Sequence, residues 1–167
     1  MSALHLGVKL VQAEPMTRGM YNDVRGWKVP ADENPIDAGY LLVDLEAAPN
    51  VPGWDGYVSW VPAEQFEQLY RSSGNLSFSH ALELLRRGYA IQRSGWNGKG
   101  LFVYLVPANA YPAATSVAKA HFGDELVPYN AYMAIKGADG RVSTWQPSGN
   151  DTLADDWRVV DPAGEGK

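Results

Sequence analysis

The chain contains no cysteine. Disulfides, thiolate metal centres and cysteine nucleophiles are therefore excluded. No apolar run approaches the roughly 18–20 residues of a membrane-spanning helix. The N-terminus also lacks the basic stretch and long apolar run of a secretory leader, so a soluble, cytoplasmic, membrane-free protein is expected. Charged residues are sparse, at 20%, and the net charge is −5. That balance argues against a nucleic-acid polymer as partner, which calls for a basic face. The three histidines, His5, His80 and His121, are far apart, and none has a second ligand at metal spacing. No serine sits in a nucleophile elbow. The adjacent pair Asp155 and Asp156 points in two directions and reads as capping or solvation, not as an acid/base pair. No catalytic residue, cofactor or metal is expected. One further absence is local: no carboxylate lies between Glu83 and Asp124, while Arg86, Arg87, Arg93, Lys99 and Lys119 all do.

What is present is a folding composition. Of 167 residues, 46% are hydrophobic, and six Trp and nine Tyr are among them, enough for one ordinary core or two small ones. Residues 1–76 carry five basic and ten acidic side chains, residues 77–167 nine of each. In the middle of the acid-free window stands Gly95-Trp96-Asn97-Gly98-Lys99-Gly100. Its three glycines permit positive φ and close approach to a partner, and among them sit a stacking surface, an amide and a cation. It is not a P-loop, because the spacing is short and a hairpin follows where a helix is needed.

Periodicity and punctuation outline the chain. Alternation of Leu4, Leu6, Val8 and Leu10 predicts a strand from His5 to Ala13. A helical turn over Tyr21–Arg25, strands over Gly39–Leu45 and Gly56–Val61, and a helix from Pro62 to Arg71 follow. Ser72–Asn75 reads as a boundary, giving a module over 1–71, a linker over 72–76, a second domain over 77–162 and a tail over 163–167. Phe78, Ala81, Leu82 and Leu85 recur at helical spacing after Ser77 or Ser79 as N-cap, with Gly88 as terminator. Strands over Tyr89–Arg93 and Leu101–Val106 form a hairpin around the glycine-rich loop. An irregular stretch from Tyr111 holds a helix near Thr115–Phe122. Ala131–Lys136 and Arg141–Trp145 flank a Gly-Ala-Asp-Gly turn, and a helical turn near Asp151–Ala154 precedes a strand over Trp157–Asp161. The expected fold class is α+β: two small antiparallel-sheet units with short helices.

Binding chemistry is richer than catalytic chemistry. Trp96 serves no evident core period and is suited to stack on a base, a contact worth about 1–3 kcal/mol. Lys99 and Arg93 suit phosphate as charge-assisted donors, and Asn97 a ring edge or a ribose hydroxyl. Trp145, Pro147, Ser148, Asn150 and Asp151 form a second polar, aromatic loop, in which Asn150 or Asp151 equally suits capping of the next helix. Trp157 alternates with Val159 as core.

The second half resembles a known family. Phe78-Ser79-His80-Ala81-Leu82-Glu83-Leu84-Leu85, Arg93 to Gly100, Tyr104-Leu105-Val106-Pro107, Val127-Pro128-Tyr129 and Met133 to Lys136 carry the likeness. Ala138-Asp139-Gly140, Trp145-Gln146-Pro147-Ser148 and Asp151 to Trp157 continue it in the same order. These blocks, over about 77–161, resemble the second Thoeris anti-defence family of phage and prophage proteins. The resemblance implies a non-enzymatic sponge, acting in the cytoplasm of the infected bacterium, that sequesters cyclic ADP-ribose-type signals made by TIR-domain proteins. It implies a homotetramer with pockets between subunits and Trp96 stacked on the ligand, and in some members a cyclic dinucleotide at a separate site. Where the family usually has Gln then Thr after Pro-Ser, this chain has Gly149 then Asn150. The first half looks like an accessory module of phage proteins that shapes oligomer contacts. Two alternatives stay open: a phosphodiesterase or glycohydrolase cleaving the same signal, and a structural or carbohydrate-binding phage protein.

Overall fold

A computed structural model describes residues 4–5 and 7–161. The chain forms two compact units, Met1–Arg71 and Ser72–Lys167, and the fold is α+β, built from small antiparallel sheets and short helices.

In the first unit, strands β1 (Gln12–Pro15), β2 (Gly39–Asp44) and β3 (Tyr57–Pro62) form an antiparallel sheet in that order, with helices α1 (Arg18–Arg25) and α2 (Ala63–Leu69). Thr17 caps α1 by accepting from the Met20 N–H at 3.3 Å, and Gly26 ends it at φ 64°, a conformation suited to glycine. Tyr21, Leu41, Val43 and Val58 are the buried centre, with Met16, Val24, Val51, Trp54 and Trp60 packed around them. Gly39 is required by that packing: a Cβ there would lie 2.3 Å from the Trp60 ring. The strand expected over 5–13 is displaced. Gln12 pairs with Val43, one residue from the end of β2, so the described residues further upstream have no partner strand. Leu4, Val8 and Leu10 are exposed, and Leu6 lies outside the described residues. The second helix stops at Leu69, because Tyr70 is extended.

The second unit carries α3 (Phe78–Arg86), β4 (Ala90–Arg93), β5 (Phe102–Val106), β6 (Asn109–Pro112) and α4 (Ser116–Phe122). It continues through β7 (Leu126–Tyr129), β8 (Tyr132–Lys136), β9 (Val142–Thr144), α5 (Gly149–Thr152) and β10 (Trp157–Val160). The main sheet runs β10-β4-β5-β8-β9, antiparallel throughout. The closing strand therefore lies beside β4, setting Trp157 opposite Arg93. That register brings the end of the chain to the glycine-rich loop. Leu76, Ala81, Leu84, Leu85, Ile91, Val103 and Trp157 form the core. The Trp157 side chain is fully buried, and removing roughly 200 Å² of ring from water stabilises by up to about 5 kcal/mol. Gly88 follows α3 with φ 86°, as the terminator pattern predicts.

Two features differ from expectation. The stretch from Tyr111 is not wholly irregular, since β6, which ends in it, and β7 pair as a separate two-stranded sheet. Pro112 and Pro128 lie within these strands, and Val127 is the one buried residue of the eight, so hydrophobic alternation could not announce them. Residues 72–76, expected as a linker, are fastened to β10. The N–H groups of Gly74 and Leu76 both donate to the Trp157 carbonyl, and Ser73 Oγ accepts from the Val159 N–H at 2.9 Å. The tail expected over 163–167 lies outside the described residues. Among the described residues, no helix is long and apolar enough to cross a membrane.

Candidate functional site

The glycine-rich loop leaves β4 at Arg93 and is held at once from the other end of the unit. The Ser94 N–H donates to the Asp156 carbonyl at 3.0 Å, and the Gly95 N–H to Asp156 Oδ2 at 2.9 Å. Gly98 and Gly100 take φ 135° and 67°, but Gly95 does not have positive φ. Its missing Cβ serves close approach instead, since a Cβ would stand 3.0 Å from Asp156 Oδ2. At the far end of the loop, Lys136 Nζ donates to the Gly100 carbonyl at 2.9 Å.

Trp96, expected to stack on a base more than to pack, is half-buried and lies against the core. Its ring meets Trp145 edge-on at 5.9 Å and Trp157 at 5.4 Å, and Phe78 tilts against Trp145 and Trp157. Such edge-to-face pairs are worth about 0.5–1.5 kcal/mol beyond area burial. Periodicity hid this role because Trp96 reaches the core from a loop, outside any strand or helix phase.

One carboxylate ties the cluster together. Asp151 Oδ1 accepts from Arg93 Nη1 at 3.0 Å and from the Trp96 indole N–H at 3.3 Å. Its Oδ2 accepts from the Ser148 N–H at 2.9 Å and the Ser148 hydroxyl at 2.7 Å. Ser148 is the N-cap of α5 in a reciprocal capping box with Asp151. Of the two residues equally suited to capping, Asp151 takes part, completing the box from the third helical position, while the N-cap itself is Ser148, three residues before it. The Asp151 carbonyl accepts from the buried Trp157 indole at 3.0 Å. Burial alone would raise the Asp151 pKa, but the Ser148 hydroxyl and N–H, Arg93 and the Trp96 indole outweigh it and hold the group at about 2.

Arg93 is the second tie. Its Nε donates to Asp156 Oδ1 at 2.8 Å while Nη1 holds Asp151. These two carboxylates raise the Arg93 pKa, and Arg93 with the Gly95 N–H keeps Asp156 below the usual carboxylate range despite partial burial. The cation expected to meet phosphate is thus already engaged by two acids from outside the acid-free window. Glu83, at the window's edge, bonds Arg87 Nε at 3.1 Å and lies 3.9 Å from Arg86 Nη1.

Of the nine residues singled out from sequence, the structure joins Arg93, Trp96, Ser148 and Asp151 by direct hydrogen bonds and sets Trp145 against Trp96. Asn97 and Lys99 are exposed on the loop, Asn150 is exposed on α5, and Pro147 is half-buried between Trp145 and the cap. Lys99 makes no ion pair among the described residues. Sequence reasoning missed Asp156, which it set aside as capping or solvation, and Phe78, which it placed only in a helical stripe. The signal for Asp156 lay in β10 pairing with β4, a register that sequence does not reveal. The result is an aromatic cluster tied to Arg93 and Asp151 by hydrogen bonds, bordered by an amide and a cation open to solvent. A flat ring and an anion are the ligand chemistries such side chains suit.

Two comparisons with known proteins fall on this unit. The family model described as the Thoeris anti-defense 2-like domain matches residues 76–160. A protein of Bacillus phage SP01 called Thoeris anti-defense 2 is 38% identical over 85 residues, which are 51% of this chain and 94% of that relative. The first unit lies outside the matched residues.

Proposed function

The chain belongs to the Thoeris anti-defense 2-like family, and from that premise we propose that it works by stoichiometric capture. It binds a cyclic ADP-ribose-type nucleotide made by TIR-domain proteins in the host cytoplasm, keeps it intact and so leaves the defence effector without its signal. The observation that carries this reading is the state of the acids around Trp96. Asp151 has its oxygens occupied by four donors and is held ionised at about 2. Asp156 is spent on Arg93 and Gly95. A general acid or base works best with a pKa near the working pH and a free line to the substrate, whereas a binding wall needs rigidity.

In this reading the nine residues divide by task. Arg93, Asp151, Ser148, Pro147 and Trp145 build the frame. Trp96 offers its ring, since its N–H is already committed to Asp151. Asn97, Lys99 and Asn150 read the sugar and phosphates.

Nanomolar retention needs about −12 kcal/mol, and one stack with a few charge-assisted contacts approaches that only in a preformed, closed pocket. The prebuilt wall lowers the ordering cost, and a second subunit supplies the closure. A homotetramer therefore goes with the capture role, and a cyclic dinucleotide at a separate site is a further ligand to try. Titration calorimetry of the full chain with a cyclic ADP-ribose-type nucleotide tests the proposal. Saturable binding with a fixed nucleotide-to-subunit ratio is expected, and no heat of binding for any isomer overturns it.

A further inference from the structure

The loop bearing Trp96 has a weakness built into it. Three of its six residues are glycine, and glycine loses more conformational freedom on ordering than any other residue. A loop of that composition holds one place only if something outside it does the holding. Several of its stays come from one short stretch of chain, 151–156. Asp156 gives its backbone carbonyl to Ser94, one carboxylate oxygen to Gly95 and the other to Arg93. Asp151 takes the other branch of the same guanidinium and the Trp96 indole N–H.

The geometry points to a clamp: Asp156 and Asp151, joined through Arg93, are positioning residues that keep Trp96 ready for its ligand, and Asp156 sets how long a bound nucleotide stays. This rests on the capture reading above. Asp156 is suited to the part because it is dispensable to the core. Its side chain is a third exposed, and it belongs to none of the apolar clusters. Its carboxylate joins loop to strand across 61–63 residues of sequence. Asp156→Asn keeps the size but places an NH2 group against either the Arg93 Nε–H or the Gly95 N–H, both donors. One of the two stays must open, and a loosened wall releases its ligand faster without slowing encounter, because interface changes act mostly on dissociation.

The test uses the 15N-labelled full chain with the Trp96 indole signal identified by its loss in Trp96→Phe. In Asp156→Asn, hydrogen exchange at the Trp96 indole and the Gly95 amide should quicken at least tenfold. Nucleotide dissociation should quicken by a similar factor, with association within threefold of wild type and the urea midpoint of unfolding little changed. Gly95→Ala presses on the same carboxylate from the loop side and should give the same pattern, which covers a poorly folding Asp156→Asn protein. If both variants release nucleotide at the wild-type rate, or the indole keeps its protection, the clamp has no such role. If the wild type itself retains no nucleotide, the capture reading fails and this inference falls with it.

Discussion

Replacing Asp151 by asparagine should weaken the second unit at neutral pH by an amount that acid takes away. The carboxylate is held at about 2 in the folded chain, against about 3.9 for an unperturbed Asp. Because the folded value is the lower one, the ionised group contributes stability above pH 4 and loses it as pH falls through 2. At about 1.4 kcal/mol per pKa unit, that contribution is about 2.5 kcal/mol at pH 7. The substituted amide could accept from Arg93 and Trp96 through its one oxygen, but its NH2 would face the Ser148 N–H, a second donor, so that arm of the capping box opens as well. The assay is urea unfolding of the full chain, read at the Trp157 indole resonance, whose N–H donates to the Asp151 carbonyl. Asp151→Asn should fall below wild type by about 2 kcal/mol or more at pH 7, and most of the titratable part of that gap should vanish at pH 2. A gap of equal size at both pH values would refute the assignment, because the amide does not titrate and only the wild type can change.

Further outcomes follow from individual contacts. Trp96→Ala should abolish nucleotide retention and also lower stability by about 2 kcal/mol, less than the roughly 3–5 kcal/mol of a fully buried aromatic, in calorimetric melts. Trp96→Phe should retain nucleotide while losing the indole stay on Asp151. Lys99→Glu, at an exposed position, should leave the melting temperature unchanged, weaken nucleotide binding and flatten its salt dependence; unchanged affinity would remove Lys99 from the phosphate site. Gly39→Ala should unfold the first unit, because the added Cβ would meet the Trp60 ring at 2.3 Å, and loss of the dispersed Trp60 indole signal reports it.

The sequence disclosed elements whose residues repeat in phase. The stripe of Phe78, Ala81 and Leu85 announced α3, and the apolar run at Leu101–Val106 announced β5. It was poor where a neighbour supplies the reason. The described residues upstream of Gln12 alternate correctly yet join no strand, since β2 is too short to receive them. The pair β6 and β7 has two prolines and little burial, so no local rule favours it. At the site, composition pointed to the right loop and aromatic segment, because glycine, tryptophan and a cation stand out without any tertiary knowledge. The wiring was hidden for one reason: β10 returns to pair with β4. That return brings Asp151 and Asp156 to Arg93 across 58 and 63 residues. It changes Arg93 from a free phosphate donor into the centre of a clamp, and Trp96 from a loose stacking ring into a fixed one.

Recovery of the ligand distinguishes capture from cleavage. The full chain is incubated with the product of an activated TIR-domain protein, freed of unbound nucleotide, then heated and analysed by mass spectrometry. Intact cyclic ADP-ribose-type nucleotide should be released in fixed ratio to protein, and none from Trp96→Ala. Linear fragments in place of the cyclic nucleotide, or equal recovery from the Trp96→Ala protein, would contradict capture.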